Sequence, residues 1–203
     1  MKIPSSYRYF KLEDLENVCG ISNKSVANLL EPVTHKAPSD FLTILLEKNT
    51  RLPLLNEKAK SEFIIAPILV EMWEQNPRFK PFSGMTFNID SKRGLKGVCD
   101  FLISAKQDAV RLASPIVCVF EAKNDNLEDW YGQCGSEMYA ARLFNQSKNE
   151  PYEVIYGAVT NGGEWQFLKL TENELLVDSR KYGIVNLPEL LGAIQKVYDF
   201  YAN

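Results

Sequence analysis

The stretch that decides the fold is Ile116-Val117-Cys118-Val119-Phe120-Glu121-Ala122-Lys123. Five consecutive apolar, largely β-branched or aromatic residues read as a strand buried on both faces, and two charges arrive at its end. Strand side chains alternate between faces, so Glu121 and Lys123 point the same way and Ala122 points to the other. Twenty-one residues before Glu121, Asp100 interrupts a second apolar run, Val98-Cys99-Asp100-Phe101-Leu102-Ile103. A hairpin between the two strands brings Asp100 beside Glu121. Two carboxylates so placed form a hard-oxygen site suited to Mg²⁺, which binds through one or two carboxylates and substrate phosphate. A neighbouring lysine then orients water or stabilises charge during in-line attack on phosphorus. The Glu-x-Lys triplet has no weight by itself, since this composition yields about one by chance. The plain alternative is a strand-end Glu–Lys salt bridge with Asp100 facing solvent.

Outward from this strand, the pattern predicts a helix over 56–75, strands over 84–89, 98–104 and 116–122, and a helix over 127–145. Strands follow over 153–160 and 165–170, joined by the hairpin signature Asn161-Gly162-Gly163, with a short strand over 174–177 and a final helix over 187–202. The fold class is therefore α/β, a central mixed sheet with helices packed against it. In the 56–75 helix, Pro67 removes the hydrogen bond to the Phe63 carbonyl and bends the axis. Residues 1–55, broken by Pro32, Pro38 and Pro53, read as a small N-terminal helical appendage, in which Ser39-Asp40 caps the run from Phe41 to Leu46. The remainder, 56–203, is the main domain.

Composition narrows the chemistry. The chain has 203 residues, 45% apolar and 24% charged, which is ordinary for one globular domain. It has no apolar run of the length that spans a bilayer, and the first residues lack the apolar core of a secretory signal, so the expectation is a cytoplasmic protein with no membrane partner. Cys19, Cys99, Cys118 and Cys134 lack the spacing of a zinc site and read as reduced thiols, most of them in the core. A single histidine, His35, excludes a histidine-based triad and a multi-histidine metal centre. Net charge is −3, yet the stretch from Asn76 to Lys96 holds Arg78, Lys80, Lys92, Arg93 and Lys96 against Asp90 alone. This local excess is a candidate phosphate-contacting surface.

Four motifs in order resemble the PD-(D/E)xK nuclease superfamily, with its restriction-endonuclease-like fold. The likeness is closest to the N-terminal nuclease domain of type I restriction enzyme motor subunits and their stand-alone relatives. Gly97-Val-Cys-Asp100-Phe-Leu-Ile resembles the first acidic motif and Phe120-Glu121-Ala122-Lys123 the E-x-K motif. Gly132-Gln133-Cys-Gly-Ser-Glu-Met-Tyr139 resembles the glutamine-bearing helix, and Thr160-Asn161-Gly162-Gly163-Glu164-Trp165-Gln-Phe the hairpin after it. The likeness covers about 58–171. Cys99 stands where a proline is usual, Gln133 and Tyr139 are six apart where the family spacing is tighter, and no motor motif follows. The resemblance implies a Mg²⁺-dependent nuclease, with Mn²⁺ as a substitute, acting on DNA. Asp100 and Glu121 then hold the metal with the Ala122 carbonyl as an extra ligand, and Lys123 positions water. It also implies an acid on the preceding helix. Wheel arithmetic over a continuous helix chooses Glu62, on the flank of the apolar face, and places Glu71 well away from that face. Gln133 is expected to hydrogen-bond the substrate or Lys123. A non-catalytic domain of the same fold that binds nucleic acid or protein is the alternative, and a homodimer is left open.

Overall fold

The computed structural model describes residues 3–124, 126–150 and 152–202. A short helix α1 (Leu12–Asp14) runs into a π-turn, Leu15–Cys19. Strand β1 (Ser22–Val26) and helix α2 (Asp40–Asn49) follow. Next come α3 (Glu57–Lys60), a π-turn Ser61–Ile65, and α4 (Ala66–Gln75). Strands β2 (Lys80–Thr86), β3 (Val98–Ser104) and β4 (Ile116–Ala122) lead to α5 (Tyr131–Ser147). The chain ends with β5 (Ile155–Thr160), β6 (Glu164–Leu170), β7 (Glu174–Gly183) and α6 (Leu187–Ala202).

The seven strands form one mixed sheet in the order β1-β7-β6-β5-β4-β3-β2. Strands β2 to β4 are an antiparallel meander, and β4 and β5 are parallel, joined by the α5 crossover. The β5–β6–β7 ladder is again antiparallel. On one face α2, α4 and α6 pack Leu42, Ile68, Met72, Leu190 and Ile194 against Phe101, Phe120 and Trp165. On the other face α5 sets Cys134, Met138 and Ala141 against Leu102, Val119 and Val159. Strand β4 is buried along its whole length, as its apolar run requires. Cys99, Cys118 and Cys134 are free thiols in the core. Among the described residues no helix is long and apolar enough to cross a membrane.

The structure corrects three expectations. The N-terminal residues are not an appendage: Tyr7, Phe10, Leu15 and Ile21 lie in the core under α5, and Leu30, Leu42 and Leu46 in the core on the other face. Strand β1 joins the same sheet, in parallel with β7. Strand β2 begins earlier than 84–89, because it lies at the sheet edge, where Pro81 is tolerated although it cannot donate to a ladder. The 56–75 helix is interrupted. Pro67 cannot donate to Phe63, so Asn49 Nδ2 donates to the Phe63 carbonyl at 2.7 Å, and the backbone takes a π-turn beside it.

Candidate metal and phosphodiester site

The antiparallel register pairs Phe101 with Phe120 and Leu102 with Val119. Continued by one residue, it sets Asp100 opposite Glu121. Asp100 Oδ2 accepts the Ala122 N–H at 2.8 Å, which ties the first acidic motif to the end of β4. Asp100, Glu121, Lys123 and Gln133 line a single cavity of about 330 Å³, together with Trp130, Glu57, Tyr7 and Arg8.

Within it, Lys123 Nζ lies 2.6 Å from Glu121 Oε1, and both side chains are almost fully buried. The Lys123 ammonium also stands over the Trp130 ring, 4.3 Å from its centroid. Gln133 Nε2 donates to Glu121 Oε1 and, at 3.0 Å, to Glu137 Oε1. Glu121 Oε2 is buried and has no hydrogen-bond partner among the described residues. Burial pushes the Glu121 carboxyl well above the usual carboxylate range, reinforced by Glu137 and Asp100 and opposed by Lys123. Burial likewise raises Glu137 to about 7. For Lys123, burial favours the neutral amine, but the neighbouring acids Glu121, Asp100 and Glu57 together outweigh it, and the lysine titrates above its ordinary value.

The donor set fits a hard divalent ion. Among the described residues no group of three or more His, Cys, Asp or Glu side chains is gathered to hold a metal unaided. Asp100 and Glu121, neighbours across β3 and β4, offer two carboxylates, one with an orphaned buried oxygen, which matches the one-or-two-carboxylate habit of Mg²⁺. Ala122 follows Glu121 directly, and its N–H is already bonded to Asp100.

Glu62, chosen by wheel arithmetic, does not line this cavity. Glu62 is half exposed, pairs with Lys58 at 2.8 Å, and lines a neighbouring cleft that shares Asp100. Glu57, one residue inside the Asn56 cap, lines the cavity itself. Glu71, expected far from the apolar face, is 4% exposed, and its carboxylate accepts the Ser39 N–H and hydroxyl. The basic residues of 76–96 do not line the cavity. Lys80 Nζ donates to the Ala109 carbonyl at 2.9 Å. Arg93 pairs with Asp90 at 2.8 Å and donates to the Tyr139 hydroxyl at 3.1 Å. Arg78 stacks over Phe79, Lys92 is exposed, and Lys96 is half-buried. Tyr139 thus serves Arg93 and does not line the cavity. Sequence reading missed Glu57, Arg8, Trp130 and Glu137. Only Glu137 had a readable signal, its position one helical turn after Gln133.

Comparisons of the chain with protein-family models, with curated proteins and with solved structures found no match.

Proposed function

We propose that the protein is a Mg²⁺-dependent nuclease that hydrolyses phosphodiester bonds in DNA. The observation that carries the reading is the convergence of Asp100, Glu121 and Lys123 in one cavity, with one Glu121 oxygen left unpartnered. The element order α4-β2-β3-β4-α5-β5 supports it, since this helix–three-strand–helix–strand order is similar to that of the restriction-endonuclease-like core. Asp100 and Glu121 hold the metal, which when bound neutralises charge on the phosphate and activates water. Lys123, fixed by Glu121 and the Trp130 ring, orients the attacking water and stabilises negative charge that develops on the phosphoryl oxygens. Gln133 holds Glu121 in its rotamer. The new P–O bond forms as the P–O bond to the leaving sugar oxygen breaks; the attacking water gives up its proton to solvent and the leaving oxygen takes one from solvent. One copy supplies all of these residues, and the buried reduced thiols suit the cytoplasm.

The test combines Mn²⁺ titration by calorimetry with cleavage of labelled DNA in Mg²⁺. Wild type is expected to bind the ion and cut, and Asp100→Asn, which keeps an acceptor for the Ala122 N–H, is expected to do neither. Wild type that binds DNA but leaves it intact in both metals would move the protein to the non-catalytic reading, which the closed Glu121–Lys123 pair favours.

A further inference from the structure

We infer that Arg8 is a phosphate clamp for the DNA strand that enters the cavity, so that the N-terminal segment forms part of the substrate site. The substrate class rests on the nuclease reading; the clamp itself rests on three features of the segment.

The first is placement. Arg8 lines the same cavity as Asp100, Glu121 and Lys123, although about ninety residues of chain separate it from Asp100. The second is availability. The cavity wall carries three carboxylates, Glu57, Asp100 and Glu121, and two cations, Lys123 and Arg8. Lys123 is bound to Glu121. Arg8 is exposed and makes no ion pair with any described residue, although three acids line the same space. On this wall Arg8 is the cation left unpaired to receive a phosphodiester. A guanidinium fork matches two phosphate oxygens at once.

The third is rigidity. Arg8 is the middle residue of a 3₁₀ turn, Tyr7–Tyr9, whose Tyr7 is 1% exposed. The Tyr7 N–H donates to the Lys96 carbonyl at 3.1 Å. Two glycines make the seat. Gly97, at φ 150, faces the Tyr7 ring, and a Cβ there would lie 3.1 Å from it. A Cβ at Gly94, at φ 75, would collide with the Pro4 carbonyl. The segment therefore fixes the backbone of Arg8 at the cavity rim, so that only its side chain is left to be ordered on binding.

The experiment measures anisotropy of a fluorescein-labelled DNA oligonucleotide with the full chain in EDTA, where nothing is cut, over a series of salt concentrations. Arg8→Ala is expected to bind roughly tenfold more weakly and to lower the salt slope by about one. Arg8→Lys is expected to keep the slope and recover only part of the affinity. Lys48→Ala, an exposed lysine on α2 on the opposite face of the sheet, is the charge-loss control and is expected to match wild type. Thermal melts confirm that the variants are folded. Arg8→Ala with wild-type affinity and slope overturns the clamp, even if the enzyme cuts DNA. Wild type that does not bind DNA overturns it as well. Binding that depends on Arg8, without cleavage in Mg²⁺ or Mn²⁺, upholds the clamp and sinks the nuclease reading alone.

Discussion

Lys123 is held from two sides, by Glu121 Oε1 at 2.6 Å and by the face of Trp130, and a side chain so fixed acts by position as much as by charge. On the proposed nuclease reading, Lys123→Ala is therefore expected to keep Mg²⁺ binding and to cut DNA about 10²–10⁴-fold more slowly. It also leaves Glu121 buried without its cation, at a cost on the order of 3 kcal/mol in stability. Circular dichroism must accompany the rate measurement for that reason, and a folded Lys123→Ala that cuts at the wild-type rate would remove the lysine from the reaction. The three central residues were legible because strand alternation is a rigid rule, and two residues apart on a buried strand means one face. Which acid of the helix lines the cavity was not legible. Glu57 and Glu62 differ by five residues, and a wheel drawn at 3.6 residues per turn cannot be carried through the π-turn over Ser61–Ile65. The same break left Glu71 on the wrong side of the wheel.

At the scale of elements, Glu71 explains how α2 is joined to α4. The Ser39 hydroxyl caps α2 by accepting the Leu42 N–H at 3.1 Å and donates to Glu71 Oε2 at 2.7 Å. Ser39→Ala removes a cap and one partner of a buried carboxylate in a single step. The loss of the cap costs about 1 kcal/mol and the weakened carboxylate about 1 more, so chemical denaturation should show a drop of about 2 kcal/mol. Ser39→Asp, a good cap in isolation, should fare no better, because it sets a second carboxylate against Glu71; full stability in Ser39→Asp would show that the contact to Glu71 contributes nothing. The cap itself was readable from Ser39-Asp40 before an apolar run, whereas its second partner, 32 residues away, was not. Strand β1 was invisible for another reason. Ser22-Asn-Lys-Ser-Val has no apolar alternation, since the strand is an edge with most of its residues exposed, and it is specified by pairing with β7 rather than by burial. Interior strands declare themselves in sequence through burial; a polar edge strand has no such mark.

For the whole molecule, the question is whether 56–203 is a domain. The proline-broken composition of the first 55 residues reads as a separate piece, but composition does not report which core a side chain enters. Tyr7, Phe10, Leu15 and Ile21 fill one core, and Leu30, Leu42 and Leu46 the other, all 7% exposed or less. Each large apolar side chain contributes about 1.5–3 kcal/mol on burial, so removal of seven strips away on the order of 10–20 kcal/mol. That equals or exceeds the roughly 5–15 kcal/mol by which a domain is stable at all. It also uncovers the β7 edge and the apolar faces of α4 and α5. A fragment of residues 56–203 is therefore expected to be unfolded or aggregated, with no cooperative thermal transition, even though it contains Asp100, Glu121, Lys123 and every motif that resembles a nuclease. A 56–203 fragment that melts cooperatively near the full-length midpoint would restore the two-part division and would mean that the N-terminal side chains pack without stabilising. If the fragment fails to fold and supplying residues 1–55 as a separate peptide restores the transition, the N-terminal segment is part of the core by the same measure that places Arg8 at the cavity.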